Sequence, residues 1–103
     1  MKAMEVAVEI LSYTCLEFPT WVKCCLEDAY GRKWFFVEKL PVVSKEASID
    51  LPCKGYLRGN IISEQNGMVE FCTKEPDDVE SVEGCNRFWI SKNQLFDNKQ
   101  QTD

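Results

Sequence analysis

The strongest constraint on the fold of this chain is a period-two alternation of apolar and polar residues that recurs between turn signals. Residues 4–13 and residues 21–27 both show it, and in the second run Val22, Cys24 and Leu26 fall on one side. Because successive side chains of a β-strand point to opposite faces, such runs predict half-buried strands with one apolar face. The β-branched residues of the first run favour a strand over the helical alternative.

Four further runs predict strands, and two turn signals join strands into hairpins. The turns are residues 28–31, which end in glycine, and the dipeptide Asn66-Gly67, whose residues both tolerate positive φ. Residues 44–48 predict one short helical turn with Ser44 as its cap. The further strands are residues 33–39, residues 56–64 with a bend or bulge at Gly59, residues 68–74, and a run with Arg87, Phe88, Trp89 and Ile90.

The chain has 103 residues, which gives room for one hydrophobic core. We expect an all-β domain over residues 1–96, with five or six mostly antiparallel strands that curl into a small barrel of the OB or SH3 kind. At most one or two short helical turns accompany the strands. Leu95 and Phe96 are expected to dock against an open end of the barrel, and residues 97–103 to form a flexible polar tail.

The residue types exclude most familiar catalytic chemistry. The chain has no histidine, which removes the Ser-His and Cys-His nucleophile pairs and the two-histidine zinc helix. Its five glycines form neither G-x-G-x-x-G nor G-x-x-x-x-G-K-[ST], the patterns that bind phosphate. We therefore predict no catalytic centre, no organic cofactor and no bound metal. An enzyme that uses only carboxylates, lysine or cysteine is the open alternative.

The cysteines predict neither a zinc site nor a secreted disulfide framework. Only Cys24 and Cys25 are close in sequence, whereas zinc knuckles need two ligands two to four residues apart. The first residues show no export signal, and no run reaches the about 20 apolar residues of a membrane span. We expect a reducing cytoplasm, in which all six cysteines are free packing residues: Cys15, Cys24, Cys25, Cys53, Cys72 and Cys85.

The charge balance favours a protein partner over nucleic acid. Twelve lysines and arginines against seventeen aspartates and glutamates give a net charge of −5. Such a field repels a phosphate backbone and attracts a partner with a basic surface.

The acidic residues are densest in the loop formed by residues 75–84, which contains no basic residue. Three interpretations are open: a solvated hairpin loop, a surface for a basic partner, and a divalent-cation site. The ligand order of calcium-binding loops is absent, which argues against the cation. The carboxylates assigned to partner binding are those of Glu75, Asp77, Asp78, Glu80 and Glu83.

Alternation places apolar residues on both faces of the strand 33–39, although a barrel has one interior. Either Trp34 and Phe36 or Phe35 and Val37 therefore lie outside, where another segment covers them or they form an exposed apolar patch. The aromatic residues assigned to the partner-binding surface are Trp34, Phe36 and Trp89.

Two stretches resemble a family of small uncharacterised bacterial proteins. The first contains Trp21-Val22, Asp28-Ala29-Tyr30-Gly31 and Phe36-Val37-Glu38-Lys39-Leu40-Pro41-Val42. The second contains Thr73-Lys74-Glu75-Pro76, Glu80-Ser81, Glu83-Gly84, Phe88 and Gln94-Leu95. Together they cover most of the chain from residue 21. The resemblance implies a complete, free-standing domain and implies no activity.

Two hypotheses from different classes follow. The first is a protein-interaction module, such as an inhibitor, an immunity-type protein or an adaptor, which presents the acidic loop and the aromatic patch to a basic partner. The second is an OB-like binder of single-stranded nucleic acid. In that case, aromatic rings interleaved with Arg32, Lys33 and Arg58 form a stacking platform.

Overall fold

The alternation in the sequence produces one antiparallel sheet, which the computed structural model describes over residues 2–46 and 48–97. Seven strands form it: β1 (Lys2–Cys15), β2 (Trp21–Glu27), β3 (Lys33–Lys39), β4 (Cys53–Gln65), β5 (Met68–Cys72), β6 (Arg87–Ser91) and β7 (Leu95–Asp97). Within these residues the helical elements are α1 (Leu40–Val43) and a 3-10 turn at Lys92–Gln94. The predicted all-β fold with short helical turns is confirmed. No helix in the described part of the chain has the length and apolar character needed to cross a membrane.

The sheet is curled, so that its two edge strands approach each other. The strand order is β3-β2-β1-β4-β5-β6, every neighbouring pair is antiparallel, and β7 adds to β1. The ring of Phe88 on β6 contacts the rings of Trp34 and Phe36 on β3, with centroids 5.1 and 5.6 Å apart. The result is a half-barrel. It has seven strands where five or six were predicted, because Leu95 and Phe96 pair with β1 as part of a strand.

The long strand β1 is the centre of this sheet. Residues 2–10 pair with β4, while the other edge of β1 pairs with β7 near its start and with β2 near its end. Leu11 and Thr14 are extra residues in the pairing with β2. Such bulges locally bend and twist a strand. The length of β1 lets it pair with three strands, because β7 and β2 occupy successive parts of one edge.

The inner face of the curled sheet forms the core. Val22, Cys24 and Leu26 on β2 are completely buried, as predicted. On β3, burial resolves the ambiguity of the sequence: Phe36 is completely buried, whereas Val37 is on the outer face. Other fully buried hydrophobic side chains include those of Val6, Ile10, Leu57, Phe71, Val79 and Ile90.

The predicted helical turn at residues 44–48 is wrong. The helix α1 ends before Ser44, and Pro41 lies in its first turn, where a proline fits because its missing N–H would have no helical partner. Ser44 follows the helix, and its backbone N–H donates to the carbonyl oxygen of Leu40 at 3.0 Å. Residue 47 of the predicted turn, and residues 98–103 of the predicted tail, lie outside the described residues.

The glycine signals had mixed outcomes. Asn66 and Gly67 have φ of 52° and 79°, which confirms the predicted tight turn between β4 and β5. Gly59 does not interrupt β4, because the pairing with β1 continues through it, and the bulge in this strand lies at Ile62. Gly59 is instead a point of close approach, where an added Cβ would overlap the carbonyl oxygen of Cys72.

We predict that Gly59→Ala lowers the free energy of unfolding by about 1–3 kcal/mol, the usual range for an overpacked core. The strand must shift to accommodate the Cβ, because the colliding atoms belong to backbone and to the ring of Phe71. Urea unfolding measures the change, with Lys54→Ala at an exposed position of β4 as the control. Equal stability of the wild type and Gly59→Ala would contradict this packing.

Candidate interaction surfaces

The acidic loop 75–84 is an ordered part of the fold. Val79 is completely buried, and its carbonyl oxygen accepts a hydrogen bond of 2.7 Å from the Oγ1 of Thr73, itself completely buried. The Val79 N–H donates back to the Thr73 carbonyl at 3.0 Å. Further along, the Oγ of Ser81 accepts from the backbone N–H groups of Glu83 and Cys85 at 3.2 and 3.1 Å. Two hydroxyl groups therefore fix both halves of the loop.

The same loop joins the two edges of the sheet. The N–H of Val82 donates to the carbonyl of Phe35 on β3 at 2.8 Å. Just before the start of β3, the N–H of Ala29 in the β2–β3 turn donates to the carbonyl of Trp89 on β6, also at 2.8 Å. Buried backbone groups need partners, and these bonds supply them where β3 and β6 do not pair.

Three of the five carboxylates in the loop pair with basic side chains from elsewhere. The shortest contact is made by Asp77, which accepts two hydrogen bonds from the guanidinium of Arg58 at 2.7 and 3.0 Å. This bond raises the pKa of Arg58. The ion pairs are Arg58–Asp77 at 2.7 Å, Arg32–Glu83 at 3.2 Å and Lys74–Asp78 at 4.0 Å.

The outer side of the loop remains acidic. Glu75 and Glu80 are exposed, and neither forms an ion pair with any residue that the structure describes. The side chain of Asp78 is 77% exposed despite its long contact to Lys74. Val82 is 64% exposed and adds an apolar side chain to this acidic surface.

The three predicted aromatic residues do not form one surface patch. Phe36 is completely buried, so its assignment to partner binding is wrong. Trp34 is half-buried and engaged within the fold: its Nε1 donates to Asp28 at 3.0 Å, and the guanidinium of Arg32 lies 3.8 Å from the ring centre. Trp89 is half-buried, between the buried Phe88 and Ile90. The alternation of β3 could not predict which of its faces lies inside, because large apolar residues occupy both faces.

A second surface, which we call the lysine face, lies on the outer side of β2 and β3. The Nζ of Lys23 is 4.9 Å from the ring centre of Phe35, and the Nζ of Lys39 is 5.8 Å from that of Trp21. Lys33 continues the same side of β3. The sequence contained part of this signal, because the alternation of β2 places Lys23 on its outer face. The outward position of Lys33 and Lys39 follows only from the burial of Phe36 in the opposite phase of β3.

A third surface lies at the loop between β1 and β2, which follows the predicted strand 4–13 and precedes the predicted strand 21–27. Leu16 is 74% exposed and Phe18 is 98% exposed. Beside Phe18 is a groove of about 300 Å³, whose floor includes Leu40 and Pro41. In the sequence, this surface could have been recognised from Leu16 and Phe18, two large apolar residues in a short loop that contains Pro19.

The cysteines are free, and one is a core residue. Burial raises the pKa of Cys24 to about 12, which makes its thiol a poor nucleophile at neutral pH. Burial also raises the pKa of Cys25. Within the described residues, no group of three or more cysteine, aspartate or glutamate side chains is placed to hold a metal ion.

Comparisons with known proteins give no relative for this fold or these surfaces. No protein-family model, no curated protein and no solved structure matches the chain.

We predict that Thr73→Val destabilises the protein by about 1–2 kcal/mol. The substitution keeps the shape of the side chain but leaves the buried carbonyl of Val79 without its hydroxyl donor. Thermal unfolding measures the loss. The exposed Thr14→Val on β1 is the matched control, and an equal effect of the two variants would contradict the role of Thr73 in the loop.

Glu38 on β3 predicts a pH dependence of stability. Burial raises its pKa above the ordinary value of 4.5, and the negative charge of Asp77 raises it further. The folded state therefore holds this proton more tightly than the unfolded state, so the stabilisation is present at low pH and is lost as the pH rises through the raised pKa.

We expect Glu38→Gln to increase the free energy of unfolding near neutral pH and to have little effect at acid pH. The variant removes the buried charge but keeps the shape of the side chain. Urea titrations between about pH 4 and 7 measure this, with the exposed Glu17→Gln as control. A gain in stability that is the same at every pH would rule out ionisation of Glu38 as its cause.

Proposed function

We propose that this domain is a protein-interaction module without catalytic activity, which binds a partner with a basic surface through the loop 75–84. The observation that carries the proposal is the two-sided construction of this loop. Its apolar residue Val79 points into the core, while Glu75, Asp78 and Glu80 point to solvent from a hydrogen-bonded backbone.

An ordered loop suits this role energetically. Binding usually costs about 0.5–1.5 kcal/mol for each flexible side chain that becomes fixed, and a mobile loop adds the cost of ordering its backbone. Here the hydrogen bonds of Thr73 and Ser81 already fix the backbone. The exposed Val82 supplies apolar contact, and the net charge of −5 steers a basic partner toward the surface.

A module of this kind acts by occupying its partner, so an inhibitor, an immunity-type protein or an adaptor needs no catalytic group. We also propose that it acts in the cytoplasm. The six free thiols support this location, because a reducing compartment keeps cysteines in that form.

The test compares two double variants with the same change in net charge. Glu75→Lys with Glu80→Lys alters the loop, and Glu9→Lys with Glu27→Lys alters exposed positions on β1 and β2. A partner is first recovered from a lysate of the source cell, identified and purified, and its affinity is then measured by calorimetry. We expect the loop variant to bind about tenfold or more weakly and with a smaller salt dependence.

The control variant should bind within about twofold of the wild type, which separates a local contact from bulk charge. If both double variants weakened partner binding equally, the affinity would depend only on the net charge of the domain and not on the loop 75–84. Unchanged binding of the loop variant would place the interface elsewhere. Either result would contradict the proposal.

The lysine face favours a second candidate function, the binding of single-stranded nucleic acid. Lysine charges beside aromatic rings are the usual components of such a site. The site differs from the predicted platform, because Arg58 and Arg32 are paired with Asp77 and Glu83. It uses Lys23 and Phe35 instead.

If this second candidate is correct, the domain binds oligonucleotides with a steep salt dependence. Lys23→Ala should then reduce the salt slope by about one, and Phe35→Ala should weaken binding by about 1–3 kcal/mol. Lys54→Ala, at an exposed position of β4 outside the lysine face, is the control. Fluorescence anisotropy measures all four proteins, and absence of binding at low salt would eliminate the candidate.

A further inference from the structure

The surface around Phe18 contains both a projecting ring and a groove. Phe18 is 98% exposed, and it borders the groove of about 300 Å³ that Leu40 and Pro41 help to form. The two parts are fixed relative to each other, because the N–H of Leu40 donates to the carbonyl of Thr20 at 2.8 Å. The neighbouring Leu16, 74% exposed, enlarges the apolar area.

A projection next to a groove is the shape that a two-fold symmetric contact requires. In such an interface the same patch meets itself, so each copy must supply both the group that inserts and the site that receives it. Two copies related in this way would place each Phe18 ring in the groove of the other copy. The two large exposed apolar side chains of this patch, Leu16 and Phe18, would then be removed from water in each copy.

The charges at the rim of the groove fit the same symmetry. Lys45 and Glu46 are neighbours on its edge, both are exposed, and neither forms an ion pair with a residue in the described part of the chain. Across a two-fold axis, Lys45 of one copy would face Glu46 of the other, and the reverse pair would form as well. A patch with one sign of charge would repel its own copy instead.

We propose that this protein forms a two-fold symmetric dimer through the patch of Leu16, Phe18, Leu40, Pro41, Lys45 and Glu46. The occupant of the groove is the Phe18 ring of the second copy. No residue of the acidic loop lines the groove, so the dimer presents two copies of that loop to other partners. The groove adjoins one end of the lysine face, because Thr20 and Leu40 are the chain neighbours of Trp21 and Lys39.

Sedimentation equilibrium of the full chain, from micromolar to millimolar concentration, tests the proposal. We expect a reversible monomer–dimer equilibrium, and Phe18→Asp should raise the dissociation constant by about tenfold or more. Tyr30→Asp is the matched control, because Tyr30 is also exposed, at 70%, but lies at the opposite end of β2. Circular dichroism confirms that both variants are folded.

Charge variants give a second, independent readout. Lys45→Glu and Glu46→Lys should each raise the dissociation constant by about threefold or more, because each places like charges across the axis twice. The double variant should restore it, because the pairs re-form with reversed signs.

A chain that stays monomeric at millimolar concentration would overturn the proposal and leave the groove to a different occupant. A dimer that Phe18→Asp does not weaken, or that Tyr30→Asp weakens equally, would overturn it too. Failure of the double charge variant to recover affinity would exclude this two-fold arrangement.

Discussion

The curled sheet is closed where its two edges meet, and this closure positions both the core and the acidic loop. The edge strands β3 and β6 approach each other through the rings of Trp34, Phe36 and Phe88, but no ladder of hydrogen bonds connects them. The loop 75–84 supplies a backbone bond to β3 through Val82, and its Val79 fills the core. A loop that closes the fold cannot also be a loose, solvated connection.

This closure explains how an acidic surface is held in place. Attraction of Asp77 and Glu83 to arginines from β4 and from the β2–β3 turn fixes the loop from outside, and buried hydroxyls fix it from inside. Exposed ion pairs contribute little stability, so the buried bonds carry most of the effect. The carboxylates that remain unpaired then face solvent at fixed positions, as a binding surface requires.

Strand positions could be predicted from the sequence because one face of each strand is buried. The strands 21–27 and 33–39 have the predicted bounds, and the turn at Asn66 has the predicted conformation. The inner phase of β3 could not be predicted, because both of its faces are apolar. The ordered structure of the loop 75–84 could not be predicted either. The burial of Val79 depends on core residues that are distant in the sequence, which local patterns do not show.

Amide hydrogen exchange across residues 73–86 tests whether the acidic loop is an ordered part of the fold. The amides of Val79, Ser81, Val82 and Gly84 all donate hydrogen bonds. We predict that they exchange as slowly as the amides of the neighbouring strand β5. Exchange of the loop amides at the rate of an unfolded chain, while β5 stays protected, would show that the loop is not held by these hydrogen bonds.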